Sequence, residues 1–215
     1  MQTLMLLSAL FCADPVSAPD GAIVVLMNSD KLVYQATGSR ISHVGLVVNV
    51  NDTPMVYEAT PDRVRRVPLA SYRRELSEAN RGRSLPIRLF LMEPRRAFSH
   101  AERLRLRGFL DRQLGRRYSV RGYLRDDPGD GVHCAALAAM ALNHCGYAEL
   151  ADSHRHSPGS FLISVRGRYN DPQYNALPPP VAVTKESWLA RTWSMCERWR
   201  KWCAWSVVES LRFCY

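Results

Sequence analysis

Apolar and β-branched residues form short runs separated by polar turns over the first half of the chain, which is the pattern of β-strands. These runs occupy residues 21–27, 42–49 and 55–59, and shorter ones occupy 64–67 and 85–92. The pattern therefore predicts five strands before the first long helix.

The second and third runs are separated by Asn51-Asp52-Thr53-Pro54, a sequence of turn-forming residues. Consecutive strands that are joined by a short turn usually pair with each other. We therefore expect residues 42–49 and 54–59 to form an antiparallel hairpin.

Helical spacing of apolar residues appears in three later segments. Residues 69–76 fit a short helix, and 99–114 fit a longer one with a capping box formed by Ser99 and Glu102. An alanine-rich segment from near His133 to Cys145 predicts a buried helix.

Gly146 follows this last segment as a C-cap, and residues 181–184 fit a late strand. Strands come first and helices follow, without a regular β–α alternation. This order predicts an α+β fold with an antiparallel sheet.

The first residues have the features of an export signal. An apolar run at 2–13 is too short to span a bilayer, and Val16-Ser17-Ala18 resembles a cleavage site. We predict a signal peptide at 1–18 and a location outside the cytoplasm or in the cell envelope. The alternative is a buried first strand or helix in a cytoplasmic protein.

All five tryptophans lie in the last 28 residues, where apolar positions recur every three or four residues and basic residues lie between them. Residues 181–215 are therefore predicted to form a basic amphipathic helix, separated by the Pro178–Pro180 linker from a main domain at 19–180. This helix either packs on the main domain or binds an anionic membrane surface through 187–215.

The net charge of +9 comes from one part of the chain. Residues 63–125 contain 18 arginines and only five acidic residues. The arginines belong either to solvated faces or to a binding patch. No nucleic-acid-binding motif accompanies them, so no nucleic-acid partner is predicted.

Histidine and cysteine occur together at His133-Cys134 and His144-Cys145, two of six cysteines in the chain. Neither pair has the spacing of a zinc site, and no four-ligand pattern completes one. We therefore predict no metal and no cofactor.

Cys134 lies where the buried helix is predicted to begin. A helix N-terminus favours a thiolate, because its free N–H groups and its dipole stabilise negative charge. Cys145 lies at the opposite end and is interpreted as structural. The alternative for Cys134 is a small residue buried for packing only.

His43 and Glu58 are polar residues in otherwise apolar strands. Cross-strand neighbours in a hairpin lie about 5 Å apart, which permits a contact between imidazole and carboxylate. Taken alone, His43 fits a core histidine whose ring nitrogens are hydrogen-bonded, and Glu58 fits an acid that faces outward. Together with Cys134 they form a set suited to nucleophilic catalysis.

These residues carry a resemblance to a known family. Residues 21–26, 42–47 and 56–60, the Arg117-Tyr118 region and His133-Cys134 occur in the order seen in permuted papain-like cysteine hydrolases. The chain resembles the YiiX/YaeF-like branch of the NlpC-type superfamily over about residues 20–165. The resemblance implies a circularly permuted papain-like fold, with an antiparallel sheet packed against the helix that carries the nucleophile.

The resemblance also implies a role for each candidate residue. Cys134 would be the nucleophile, His43 the base, and Glu58 the group that orients the imidazole, while Tyr118 would line the substrate site. The Cys-Ser-Glu-Leu run of the family is Cys-Ala-Ala-Leu at 134–137 here.

The resulting hypothesis is a cysteine hydrolase that forms an acyl-enzyme with a peptide or acyl-amide substrate, by analogy with amidases and peptidases acting on cell-wall peptides or acylated small molecules. A second hypothesis keeps the triad and assigns a lipid acyltransferase or thioesterase activity at a membrane surface. A third is a non-catalytic binding module on the same fold, which the two alanines after Cys134 favour.

Overall fold

The computed structural model describes residues 17–30, 35, 38–121, 123 and 129–180. Nearly all of the predicted signal peptide lies outside these residues. The late strand predicted at 181–184 and the C-terminal helix predicted at 181–215 also lie outside them.

A six-stranded sheet forms the centre of the described fold, and every neighbouring pair of its strands is antiparallel. The strands lie in the order β4-β3-β2-β1-β5-β6. Their bounds are β1 Ile23–Met27, β2 Ile41–Val50, β3 Thr53–Ala59, β4 Val64–Pro68, β5 Arg88–Met92 and β6 Gln173–Asn175.

The described helices cover both faces of this sheet. They are α1 Leu69–Ala79, α2 His100–Gln113, α3 Cys134–Cys145 and α4 Pro158–Val165, with a short 3-10 turn at Ser153–Arg155. Within the described ranges, no helix combines the length and the apolar character needed to cross a membrane.

The alternation of side chains along the strands divides the core into two layers. On one face, Val44, Leu46 and Val48 of β2 belong to the large cluster that includes α2, α3 and α4. On the other face, Val47 of β2 and Val56 of β3 belong to a smaller cluster under α1. The sheet therefore separates α3 from α1, and the α+β class is confirmed.

The hairpin predicted from the turn residues is confirmed. Asn51 and Asp52 both have positive φ, 50° and 60°, which matches the twist that a two-residue type I′ turn needs. This turn sets the register that pairs Val50 with Thr53 and Leu46 with Tyr57.

The predicted start of α2 and the predicted end of α3 are both found in the structure. Ser99 and Glu102 form the capping box at the start of α2, and Gly146 ends α3 in the left-handed region at φ 80°. The sequence patterns did not predict α4 or β6, which have only eight and three residues.

Candidate active site

Cys134 is the first residue of α3 and is only 5% exposed. His133 caps this helix: its Nδ1 accepts a hydrogen bond from the Ala136 amide at 3.4 Å, and its Nε2 lies 2.9 Å from the His154 carbonyl oxygen. The ring is thus held from both sides. The cap fixes the backbone that carries the Cys134 thiol.

Cys145, at the other end of α3, has a different environment. Its thiol donates to the Leu142 carbonyl at 3.3 Å, and burial raises its pKa. A neutral thiol at a helix C-terminus fits the structural role that the sequence predicts for it.

His43 lies on β2 beside an irregularity of the sheet. The β1–β2 register shifts between Leu26, which pairs with His43, and Met27, which pairs with Ile41. Such bulges redirect side chains and are frequent beside active sites. The His43 Nε2 lies 2.7 Å from Glu58 Oε2, which leaves Nδ1 as the ring nitrogen able to face a thiol.

The imidazole of His43 lies close enough to the Cys134 thiol for each group to shift the pKa of the other. Burial alone would raise the pKa of the thiol, but the charge on His43, with a further contribution from His133, lowers this pKa below its ordinary value of 9.0. Burial likewise opposes the charge on His43, yet Cys134 and Glu58 raise the pKa of the imidazole above 6.5. Both shifts favour the ionised pair, a thiolate beside an imidazolium.

Glu58 is 3% exposed, and both of its oxygens have partners. Oε2 accepts from His43 and from the Tyr72 hydroxyl, the latter at 3.0 Å. Oε1 accepts from Arg65 Nε at 2.7 Å. Burial opposes the charge of this carboxylate, but His43 and Arg65 together lower its pKa to about 2.

Gly45 allows β2 to approach β3 closely beside Glu58. A Cβ added at Gly45 would lie 3.0 Å from the Tyr57 carbonyl oxygen and 3.5 Å from Glu58 Cβ. The close approach of β2 and β3 at this point explains a glycine in an apolar strand.

Tyr118 is partly buried and packs against the core layer that contains α3. Burial raises the pKa of its hydroxyl, and charge interactions with Cys134 and Asp30 raise it further. The phenol therefore lies close enough to Cys134 for the charge of the thiolate to act on it.

Two cavities lie on the described part of the chain, and the residues that line them do not include Cys134, His43, Glu58 or Tyr118. One of about 170 Å³ opens at the first turn of α3, with Val132, His133, Ala136 and Met140 in its wall. A larger one of about 620 Å³ is lined by residues 28–30 and 82–85 and by Arg40.

The structure thus places His43 and Glu58 in contact, with Cys134 close enough to His43, and Tyr118 close enough to Cys134, for their charges to interact. The sequence patterns missed Arg65 and Tyr72, the other partners of Glu58, and the capping role of His133. The only signal for His133 was its position directly before Cys134, at a predicted helix start.

No protein-family model matches the chain, and no curated protein matches its sequence. A solved structure, that of the metalloprotein yiiX from Escherichia coli O157:H7, is similar in fold. The match covers 76% of this chain and 99% of that chain, with a TM-score of 0.51 and 17% sequence identity. The resemblance to the YiiX/YaeF-like branch is confirmed at the level of the fold.

The description of yiiX as a metalloprotein raises the question of whether the residues here fit a metal ion. Across the described residues, no three His, Cys, Asp or Glu side chains form a group that could hold one. At the candidate site, both oxygens of Glu58 and both ring nitrogens of His133 are engaged by protein groups. The donor set does not fit a metal, since only Cys134 and one nitrogen of His43 are left.

Proposed function

We propose that the protein is a cysteine hydrolase that cleaves amide or ester bonds through an acyl-enzyme on Cys134. The observation that carries the proposal is the 2.7 Å contact of His43 with Glu58, on an imidazole whose charge also acts on the Cys134 thiol at the start of α3. A nucleophile, its base and an orienting acid in contact are the signature of this chemistry.

In the first half-reaction, the Cys134 thiolate attacks the substrate carbonyl and the C–S bond forms. His43 then gives its Nδ1 proton to the leaving amine or alcohol as the C–N or C–O bond breaks. In the second half-reaction, His43 takes a proton from water, the hydroxide attacks the thioester, and the acid leaves Cys134.

The negative oxygen of each tetrahedral intermediate needs hydrogen-bond donors. The first N–H groups of a helix have no partner within it. The Ala136 amide is taken by His133, which leaves the amides of Cys134 and Ala135 at the start of α3 for this task.

The proposed substrate, a peptide or an acyl-amide, rests on the triad, whose chemistry acts on amide and ester carbonyls. The cavity of about 170 Å³ at the first turn of α3 is lined by Val132, Ala136 and Met140 and not by Cys134. The lipid-directed alternative depends on residues 187–215, which lie outside the described residues, and it stays a prediction.

The alanines at 135 and 136, which favour a non-catalytic module, do not weaken the proposed triad. Both side chains are buried in the core, and the contacts of His43 and Glu58 are made with other elements. The departure from the family run therefore leaves the proposed catalytic contacts in place.

Labelling with a peptide vinyl sulfone, an electrophile that resembles an acyl substrate, tests the proposal. We expect wild type and Cys145→Ala to be labelled at neutral pH, with the adduct located on Cys134 by peptide mass spectrometry. Cys134→Ala should show no adduct within α3. Equal labelling of wild type and Cys134→Ala would contradict the proposal.

The pH dependence of hydrolysis should be a broad bell. The rate should rise on the acid side of the profile at a pH below 9.0, because the thiolate forms as the pH rises through the lowered pKa of Cys134. The raised pKa of His43 places the alkaline limb above 6.5, because the imidazolium that protonates the leaving group is lost there. Measuring kcat/KM from pH 4 to 11 checks both limbs. An acid limb at the ordinary thiol value would count against the ion pair.

A further inference from the structure

We propose that Arg65 is a positioning residue of the candidate site, which holds Glu58 in the charged form and in the orientation that His43 requires. The inference rests on the proposed function and extends the triad to a fourth residue. It also connects the site to the exposed surface of α1 through Glu75.

Arg65 reaches Glu58 because the two residues are direct cross-strand partners on β4 and β3. Its Nε donates to Glu58 Oε1 at 2.7 Å, and its Nη2 lies 2.7 Å from the same oxygen. Nη2 also donates to Glu75 Oε2 at 2.8 Å. The guanidinium is thus fixed between a buried and an exposed carboxylate.

The division of contacts between the two Glu58 oxygens determines the orientation of the carboxylate. Arg65 takes Oε1, and His43 and Tyr72 share Oε2. Rotation of the carboxylate would break contacts on both sides at once. Oε2 is therefore held toward the imidazole.

The charge of Glu58 also depends on Arg65. In a buried position, an acid without a cationic partner favours its neutral form. A protonated Glu58 could no longer stabilise the imidazolium of His43, and the Cys134 thiolate would lose the cation that supports it. Removal of Arg65 should therefore be detected at Cys134, although Arg65 does not touch the thiol.

Arg66 offers a matched control on the next position of β4. It donates to Asp111 Oδ1 at 3.2 Å and to the Tyr57 hydroxyl at 3.3 Å, so it also joins an acid and a tyrosine. Its side chain is 35% exposed, against 38% for Arg65. Its acid lies on α2 and its tyrosine in the core layer of α3, and neither contacts His43.

The test compares Arg65→Gln, Arg65→Lys and Arg66→Gln by the pH dependence of Cys134 alkylation with iodoacetamide, by kcat and KM, and by thermal unfolding. In Arg65→Gln, the pH at which Cys134 alkylation rises should increase by about 1 unit. On the acid side of the profile, kcat should therefore fall about tenfold with little change in KM.

Arg65→Lys restores the positive charge and should recover most of the shift, which also covers the case in which Arg65→Gln does not fold. Arg66→Gln should lose stability while keeping the wild-type profile. An unshifted profile in a folded Arg65→Gln, or an equal shift in Arg66→Gln, would overturn the role of Arg65 alone. A wild-type profile with an ordinary thiol pKa would instead overturn the proposed function itself.

Discussion

Replacing His43 with alanine is expected to lower the hydrolysis rate by about 10²- to 10⁴-fold, the contribution usual for a positioned acid and base. The substitution removes the group that moves the proton in both half-reactions. It also removes the cation beside Cys134, whose charge is the largest influence that lowers the thiol pKa, so this pKa should rise although His133 still acts on the thiol.

The second effect can be measured without a substrate. A thiol with the ordinary pKa of 9.0 is only about 1% ionised at pH 7, so alkylation of Cys134 by iodoacetamide at that pH should slow by up to about a hundredfold. Peptide mass spectrometry separates Cys134 from the other cysteines.

His144→Gln is a suitable control, because His144 is an exposed histidine at the other end of the same helix. It should alkylate and turn over at the wild-type rate. A His43→Ala protein that kept the wild-type alkylation rate would show that His43 does not ionise the thiol.

The contact between His43 and Glu58 could be predicted from the sequence because it depends on local structure. The turn at Asn51-Asp52 fixes the β2–β3 register, and the two polar residues lie on the same face of neighbouring strands. Cys134 could be placed for a similar reason, since an apolar alanine-rich run after a glycine-containing loop indicates where a helix begins.

The partners of Glu58 could not be predicted in the same way. Tyr72 reaches Glu58 only because α1 packs on that face of the sheet, and Arg65 reaches it only through the β3–β4 register. Neither residue carries a pattern that separates it from the many arginines and tyrosines of the chain. Short elements such as β6 depend on pairing with β5, far away in sequence.

The structure assigns contacts within the fold to several arginines of the basic segment at 63–125. Arg65 and Arg66 form ion pairs within the fold, and Arg96 pairs with Glu102. Arg105 donates to the Cys145 carbonyl at the end of α3, and Arg116 donates to carbonyls of the loop before it. Three arginines of this segment, Arg65, Arg105 and Arg116, thus contact the site, α3 or the loop before α3.

Glu58→Gln is expected to lower both activity and the free energy of unfolding. It leaves the Tyr72 hydroxyl, His43 and Arg65 around a neutral group in a buried position. Breaking such a pair costs about 3 kcal/mol, at the low end of the usual range because Arg65 keeps its contact with Glu75. The Cys134 thiolate loses support at the same time, so alkylation at neutral pH should slow.

The loss of stability should depend on pH with a defined sign. The pKa of Glu58 is lowered from 4.5 to about 2 in the folded protein, so its charge contributes stability that is fully present above pH 4.5 and is lost as pH falls toward 2. Urea unfolding at pH 7 and pH 3 should therefore show a smaller difference between wild type and Glu58→Gln at the lower pH.

Glu102→Gln separates the two effects of this substitution. Glu102 also has a pKa lowered to about 2, through Arg96 and the Ser99 cap, and its loss should follow the same pH trend in stability. It lies at the start of α2 and does not contact the site residues, so Cys134 alkylation should be unchanged. Equal alkylation rates in both variants would mean that Glu58 acts on the fold and not on the thiol.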